Sequence, residues 1–474
     1  MINQILTAID NVIKRKDEFL ISKNAFSRIR KWSLDRNVKF QIFRERTTTR
    51  HDINTFCLNS SSDNYVRITR GNYSRRRMLI LPELYKEINQ EYLKQIKFNQ
   101  NLSIYKTYKG FRILAVDGLT LSFDNNKELR KDFEVKGGNL NYRNPSEAKF
   151  TAIMDVLNGY IIDGELGNFR QSERELMKMN VTNAQDLVDF ANSILTLDRG
   201  FISLEIMAWL NEKDIYFVQR LKKGAYNAEV NQIKDYDSPI DIKLNSGRLR
   251  AFKDPELKEE YNKKLYFNLR LVTVELDNGK LEKLLTNVSP EIMSTDEIYH
   301  IYGDRWIIET NYNTLKNRMK IENFTSNTKE NIKQDVYSTV IKYNIAQAYN
   351  NICNKILDNE LKKQGSKPDE NTDYVYKIDF ANLIRNLNDF LFKMIIDPIK
   401  NNIGYLTYWI INESCLEPNK IKNNRKYPRY KTKNTKYSRS YAEMWLVNNQ
   451  SIISKNYNTI LSNRHCIFIN QKIK

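Results

Sequence analysis

The stretch Tyr302–Lys316, with the sequence YGDRWIIETNYNTLK, carries polar side chains at helical spacing. Its first tyrosine is followed by an arginine, a glutamate and a lysine at offsets of three, seven and fourteen residues: Tyr302, Arg305, Glu309 and Lys316. Since an α-helix turns by about 100° per residue, the four fall within an arc of about 60° on one face. The pattern predicts a helix that opens near Ser294, a residue suited to a helix N-terminus, and helical periodicity continues to about Leu361.

Two interpretations of this face are open from its residues alone. One carboxylate flanked by a phenol, a guanidinium and an ammonium suits an acid that holds a metal ion beside bound phosphates. The same residues also suit an ordinary solvated helix face with an i,i+4 ion pair between Arg305 and Glu309. The rest of the chain decides between the two.

Bulk properties favour a polyanionic partner. The chain has 474 residues, enough for two to four domains, and a formal net charge of +19 from 76 Lys and Arg against 57 Asp and Glu. Nucleic acid is the first candidate partner and an anionic membrane surface the second. No apolar run approaches the roughly 18 residues of a spanning helix, and Met1–Lys16 lacks the apolar region of a signal peptide. We therefore expect a cytoplasmic protein with reduced cysteines and no zinc site.

Two aspartates follow short apolar runs that predict β-strands. Asp117 comes after Arg112–Val116 and precedes Gly118, and a further strand is predicted from Thr120 to Phe123. Asp198 comes after the run Ser193–Leu197. An acid after a strand is commonplace, and Asp155 and Asp163 show how easily one occurs in this chain. Hairpin strands joined by Asn158-Gly159, then helix, strand and helix, indicate a mixed α/β sheet.

Two basic segments flank this region. Arg75, Arg76 and Arg77 open a predicted helix that is kinked or restarts at Pro82, and they suit either DNA contact or an ordinary surface. Between Pro418 and Arg439 the chain carries nine Lys or Arg and no acid, with tyrosines interleaved: Lys420, Lys422, Arg425, Lys426, Arg429, Lys431, Lys433, Lys436 and Arg439. That run is typical of a solvated tail or of an arm that grips phosphates.

The spacing Y-(2)-R-(3)-E-(6)-K over Tyr302–Lys316 resembles the signature of the insertion sequence 4 family of DDE transposases. Two further motifs of that family have counterparts in the same order, Asp117-Gly118 and Asp198-Arg199-Gly200-Phe201. The resemblance extends over roughly residues 20–440. Three motifs in order are far more specific than any one of them.

This resemblance implies an α/β (mixed) protein with an RNase H-like catalytic core, interrupted by a β-rich insertion and flanked by helical N- and C-terminal regions. The implied domains are a helical DNA-binding region at 1–110, the first part of the core at 111–214 and the insertion at 215–293. The second part of the core, which carries Glu309, would span 294–361. A helical and basic region at 362–474 would serve dimerisation and DNA contact.

The implied chemistry is cut-and-paste transposition. Asp117, Asp198 and Glu309 would be the catalytic and metal-binding acids, and clustered carboxylates need cations to neutralise them. Two Mg²⁺ (or Mn²⁺) ions per site would do so and support an in-line displacement at phosphorus. Tyr302, Arg305 and Lys316 would grip phosphates of double-stranded DNA, the element's terminal inverted repeats and the target. A homodimer that acts on DNA in the bacterial nucleoid is expected.

One departure from the family concerns a hairpin intermediate. Relatives that form hairpins place a Trp near the Leu-Leu-Thr segment to hold a flipped base, and Glu282-Lys283 occupy that neighbourhood here. Tyr266 or Phe267 would have to replace it, or base flipping is absent. Two other functions stay open: an RNase H-like nuclease without strand transfer, and a DNA-binding descendant of a transposase that no longer cuts.

Overall fold

A computed structural model describes residues 1–28, 32–60, 66–98, 105–123, 126–133, 146–276, 279–363, 374–396 and 402–422. Met1–Ile421 form one compact unit, and the remaining unit, Lys422–Lys474, lies outside the described residues apart from Lys422. Most of the predicted basic C-terminal run is therefore outside them too.

The described residues form sixteen α-helices and ten strands. The helices are α1 (Ile2–Lys14), α2 (Leu34–Phe43), α3 (Thr49–Leu58), α4 (Arg70–Arg77), α5 (Glu83–Phe98), α6 (Lys127–Phe133), α7 (Glu173–Ala184), α8 (Leu204–Glu212), α9 (Asn227–Val230), α10 (Ser246–Leu249), α11 (Pro255–Asn262), α12 (Thr295–Gly303), α13 (Trp306–Asn317), α14 (Lys329–Lys363), α15 (Phe380–Ile396) and α16 (Ile403–Leu416). The strands are β1 (Arg112–Phe123), β2 (Ser146–Asp155), β3 (Tyr160–Asn168), β4 (Ser193–Leu197), β5 (Tyr216–Arg220), β6 (Asp237–Lys243), β7 (Tyr266–Glu275), β8 (Leu281–Thr286), β9 (Tyr374–Lys377) and β10 (Asn419–Lys422).

Eight strands form one mixed sheet in the order β3-β2-β1-β4-β5-β8-β7-β6, and β9 pairs with β10 separately. β1, β2 and β3 are antiparallel, β4 and β5 run parallel to β1, and β8, β7 and β6 extend the sheet in antiparallel fashion. The predicted mixed α/β class with helical ends is confirmed. The arrangement is consistent with the RNase H-like core that the resemblance implied.

The predicted hairpin at Asn158-Gly159 joins β2 to β3. Gly159 has φ +74°, which favours glycine, and a Cβ there would lie 2.5 Å from the side-chain nitrogen of Gln347 on α14. The hairpin tip is thus held against α14. The sequence also predicts a hairpin turn at Asp277-Asn278-Gly279, of which the first two residues lie outside the described residues.

β1 is longer than its sequence indicated. We expected a strand ending at Asp117 and a second one from Thr120, but β1 runs without a break through Gly118 because β2 pairs with it as far as Phe123. Its parallel partner β4 stops earlier, at the pair Val116 and Leu197. Asp117 therefore lies within β1, at the point where parallel pairing ends.

The helical stretch predicted from Ser294 to about Leu361 is divided into three helices, α12, α13 and α14. α12 opens with a capping box in which Ser294 and Glu297 bond each other's backbone N–H. It ends at Gly303, after which the N–H of Arg305 donates to the Tyr302 carbonyl at 3.1 Å, a tighter i→i−3 bond. α13 ends at Asn317, and Lys320, three residues further on, has a left-handed φ of +54°. Tyr302 is thus on α12, whereas Glu309 and Lys316 are on α13.

Successive side chains of a strand point to opposite sides of the sheet, and β1 has apolar side chains on both sides. Helical layers cover both faces. Ile113 and Ala115 of β1 face the apolar cluster that includes α13, α14 and the N-terminal helices. Leu114 and Val116 face a second cluster with α7 and α8. The alternation decides which side of the sheet each later residue of β1 faces.

The centre of the first layer is α14, a helix of 35 residues whose first half is almost entirely buried. Buried polar side chains tie it to its neighbours: the amide of Asn344 donates to the Ile161 carbonyl of β3 at 2.8 Å and to Asn89 of α5 at 2.7 Å. Since an unpaired buried amide is costly, these bonds fix the position of α14 along the sheet.

One fully buried carboxylate of α14, Asp335, is surrounded by guanidinium groups from the N-terminal region. Its Oδ1 lies 2.5 Å from Arg44, 2.8 Å from Arg77 and 3.5 Å from Arg46. Although burial raises the pKa of Asp335, the three guanidinium groups, Arg77 foremost, hold it below its usual value. The cluster joins the N-terminal helices to the helix that packs on the sheet.

We predict that Asp335→Asn lowers the free energy of unfolding by about 3–5 kcal/mol, because three buried guanidinium groups lose their common counter-ion. The measurement is urea denaturation followed by circular dichroism. Glu330→Gln, at an exposed acid of the same helix, is the matched control and should stay within about 0.5 kcal/mol of the wild type. Equal midpoints for the two variants would refute this role of the cluster.

Candidate active site

Asp117 of β1 lies next to the end of β4, the strand that Asp198 directly follows. The parallel register pairs Val116 with Leu197, so that the next residue on each chain is one of the aspartates. By alternation, Asp117 shares the orientation of Ile113 and Ala115, toward the layer that contains α13. Both aspartates are half-buried at the carboxyl end of β4, where ligand-binding residues of parallel strands collect.

α13 lies across this end of β1 and carries Glu309. Its Ile308 and Leu315 are buried in the core, and the Tyr312 hydroxyl donates to the backbone carbonyl of Asp117 at 2.6 Å. One turn further on, the Lys316 ammonium donates to the Thr120 carbonyl at 2.7 Å. These bonds fix the helix to the strand that carries Asp117.

Arg305, the residue that precedes α13, lies between the acids. Its Nη2 is 3.2 Å from Glu309 Oε1 and 4.0 Å from Asp198 Oδ1, and its side chain is only 2% exposed. The guanidinium carbon is 5.7 Å from the ring centroid of Tyr302 and 5.1 Å from that of Trp306. The buried guanidinium, the buried ring of Tyr302 and the exposed ring of Trp306 therefore form one wall beside the carboxylates.

The electrostatics indicate that the three acids share one environment. The pKa of Asp117 is raised to about 6, mainly by burial. A hydrogen bond from the Gly118 N–H (2.8 Å) and the charge of Arg305 act in the opposite direction. The charges of Glu309 and Asp198 raise it further. Carboxylates that influence one another in this way favour a bound cation or a proton.

The family model of the transposase DDE domain matches residues 108–345, which is half of the chain. The chain belongs to this transposase family. The matched residues run from the start of β1 into α14 and include all three acids. A comparison with curated proteins gave no match.

The DDE transposase domain identifies the protein as a transposase and so as an enzyme that cleaves nucleic acid, with DNA as the expected partner. Domains of this family generally use divalent metal ions. In the described part of the chain, no helix is both long and apolar enough to cross a membrane.

The donor set of the site suits such an ion, although the acids are not yet arranged around one. Carboxylate oxygens are the ligands that Mg²⁺ and Mn²⁺ prefer. Within the described residues, however, no three Asp, Glu, His or Cys side chains converge closely enough to hold a metal. The positive charge between Asp198 and Glu309 is that of Arg305, so a metal ion there would have to replace the guanidinium.

The other predicted site residues of this transposase do not all lie beside the three acids. Tyr302 contacts Arg305, and burial raises the pKa of its phenol to about 12. Lys316 is turned toward the edge of β1, where it also pairs with Glu322 at 3.2 Å. Arg75 and Arg76 lie on α4, in the N-terminal region.

Arg77 departs from our expectation of DNA contact. It is buried, and its guanidinium donates to the side chains of Gln334 and Asp335 on α14, each at 2.8 Å. The reason is helical phase: α4 turns Arg77 toward the core and leaves Arg75 exposed. Arg77 supports the fold.

Arg75 and Arg76 line a cleft of about 1220 Å³ between α4 and the chain before α2. Two further exposed arginines, Arg28 and Arg67, lie on the same cleft, and no sequence motif indicated them. No acid is among the described residues that line it. They come from segments separated in sequence, so no local motif could indicate them.

The sequence also did not indicate that Arg220 of β5 pairs with Glu282 of β8. Arg220 Nε lies 2.9 Å from Glu282 Oε1, and the charge of Glu282 contributes to the raised pKa of Tyr302. The pair therefore adjoins the Tyr302 and Arg305 wall. The partner of Arg220 depends on how β8 pairs with β5, which the local sequence does not indicate.

Proposed function

We propose that this protein is the transposase of an insertion sequence, related to the insertion sequence 4 family, which binds the ends of its element and moves it by cut and paste. The observation that carries the proposal is the position of Asp117 on β1 and of Asp198 directly after the paired strand β4, with Arg305 between Asp198 and Glu309. An ordinary solvated helix face would not bury an arginine there.

The chain's own groups have distinct parts in the reaction. Asp117, Asp198 and Glu309 provide the oxygen ligands, and Tyr312 and Lys316 hold the helix that carries Glu309 against β1. Two Mg²⁺ or Mn²⁺ ions, when bound, would polarise the attacking and leaving oxygens of an in-line displacement. Tyr302, Arg305 and Lys316 then position phosphates of the DNA end, for which Arg305 and Lys316 have to exchange their carboxylate partners.

The N-terminal cleft and the C-terminal region extend the DNA-binding surface. With a net charge of +19, the chain suits a duplex that reaches from the active site to the arginines of the cleft. The domain roles follow the resemblance: residues 1–110 bind element ends, 215–293 form the insertion, and 362–474 contribute to a homodimer. Because its substrate is DNA, we place the enzyme at the bacterial nucleoid.

A hairpin intermediate would require an aromatic side chain for the flipped base. Of the two candidates on β7, Phe267 is 5% exposed and packs on Tyr261, whereas Tyr266 is 48% exposed. Glu282, in the neighbourhood where relatives place their tryptophan, is paired with Arg220. If this transposase forms a hairpin, Tyr266 is the residue to test.

We expect the wild type to cut and join a duplex carrying the inverted repeats read from DNA beside its gene, with Mg²⁺ or Mn²⁺ but not with Ca²⁺ or EDTA. Asp117→Asn, Asp198→Asn and Glu309→Gln should each bind this duplex and lose cleavage, since groups that act as a unit fail together. Denaturing gels report cleavage and joining.

Three results would redirect the proposal. Cleavage without joining would favour a nuclease, and binding without cleavage would favour a descendant that no longer cuts. Cleavage that survives one carboxylate substitution would remove that residue from the site.

The cleft is tested separately. We predict that Arg75→Gln with Arg76→Gln weakens duplex binding and lowers the salt dependence of log Kd by about one unit for each phosphate that the variant no longer neutralises. Lys258→Gln with Lys263→Gln, at α11, makes the same change in net charge and should leave the slope unchanged. Equal slopes in the two double variants, measured by fluorescence anisotropy, would exclude the cleft from DNA binding.

A further inference from the structure

Arg305 lies between two of the acids that we propose would hold a metal ion. Its Nη2 contacts carboxylates from two separate elements, Asp198 after β4 and Glu309 on α13. The positive charge of Arg305 also lowers the pKa of the third acid, Asp117. A single guanidinium thus neutralises a site whose three carboxylates would otherwise repel.

Two other cations near the site are held in the same manner. Arg220 is paired with Glu282 at 2.9 Å, and Lys316 with Glu322 at 3.2 Å. Arg305 and Lys316, two of the groups that we propose to position phosphates, are thus paired with the protein's own carboxylates. Binding of a phosphate therefore requires an exchange of partners.

We propose that Arg305 is an internal counter-ion that competes with divalent metal ions for Asp198 and Glu309, so that metal loading depends on withdrawal of its guanidinium toward a DNA phosphate. The inference rests on the proposed function, because it takes these acids to be the metal ligands. It adds an order of events. Without DNA, Arg305 neutralises the acids and the enzyme binds metal weakly. When DNA binds, Arg305 withdraws and the acids become available to the metal.

The surroundings of Arg305 make the exchange favourable. Among the described residues, its Nε and Nη1 atoms are buried and have no hydrogen-bond partner. Buried donors without partners are costly, and a phosphate would satisfy them with charge-assisted bonds. Arg305 also lies at the break between α12 and α13, where the backbone is not held by the interior of a helix. By linkage, DNA must raise metal affinity by the same factor by which metal raises DNA affinity.

The test is the affinity for Mn²⁺ in the absence of DNA, from the electron paramagnetic resonance signal of free Mn²⁺. Arg305→Gln should bind Mn²⁺ at least about tenfold more tightly than the wild type, because a positive charge next to the ligands is removed. Arg318→Gln removes an exposed arginine at the end of the same helix and should stay within about twofold of the wild type. Arg305→Lys, which keeps the charge, should remain closer to the wild type than to Arg305→Gln. Asp198→Asn in the Arg305→Gln background should abolish the tight binding.

The outcomes separate the inference from the proposed function. Equal affinities in the wild type and Arg305→Gln, both lost on Asp198→Asn, would overturn the counter-ion role and leave the metal site intact. Mn²⁺ binding that is unaffected by Asp198→Asn would overturn the metal site itself. If Arg305→Gln shows no cooperative thermal transition, the wild type is titrated free and bound to a 20-base-pair duplex, with the duplex alone as blank. An unchanged affinity in that complex would again overturn the inference.

Discussion

The parallel pairing of β1 with β4 is the constraint on which the site depends. It brings Val116 opposite Leu197, and the next residues are Asp117 of β1 and Asp198, directly after β4. A shift of one residue in either strand would turn its aspartate to the other face of the sheet, toward α7 and α8. The apolar alternation that buries Ile113 and Leu114 on opposite faces therefore also determines which face of the sheet carries the two aspartates.

The third acid depends on tertiary packing. Glu309 is carried by a helix of 12 residues that is bonded to β1 through Tyr312 and Lys316. Behind it, α14 is bonded to the β2–β3 hairpin and, through Asp335, to arginines of the N-terminal region. The N-terminal helices thus have two roles: their buried arginines stabilise the core, and the exposed ones line the cleft in which we propose DNA binds.

Local signals in the sequence predicted much of the fold. β4 occupies Ser193–Leu197, as expected from its apolar run. The start of α12 followed from its cap at Ser294. The signals failed where distant partners decide. β1 continues past Gly118 because β2 pairs with it, and α12 ends at Gly303 although the polar spacing continues across the break.

The candidate site shows the same division. Motif spacing indicated Asp117, Asp198, Glu309 and Arg305, and the structure brings these four together. Sequence could not show that Arg77 is buried, since its partner Asp335 is 258 residues away. Nor could it pair Arg220 with Glu282, which depends on the pairing of β5 with β8.

We propose that the phase of α13 directs the carboxylate of Glu309 to the two aspartates. Exchange of neighbours, Glu309→Thr with Thr310→Glu, keeps composition and net charge but rotates the carboxylate by about 100° to an exposed position. The measurement is single-turnover cleavage of an element-end duplex, with duplex binding and thermal unfolding recorded on the same protein. The account predicts normal folding and binding with cleavage as low as in Glu309→Gln. Cleavage near the wild-type rate would contradict it and show that Glu309 is a surface acid.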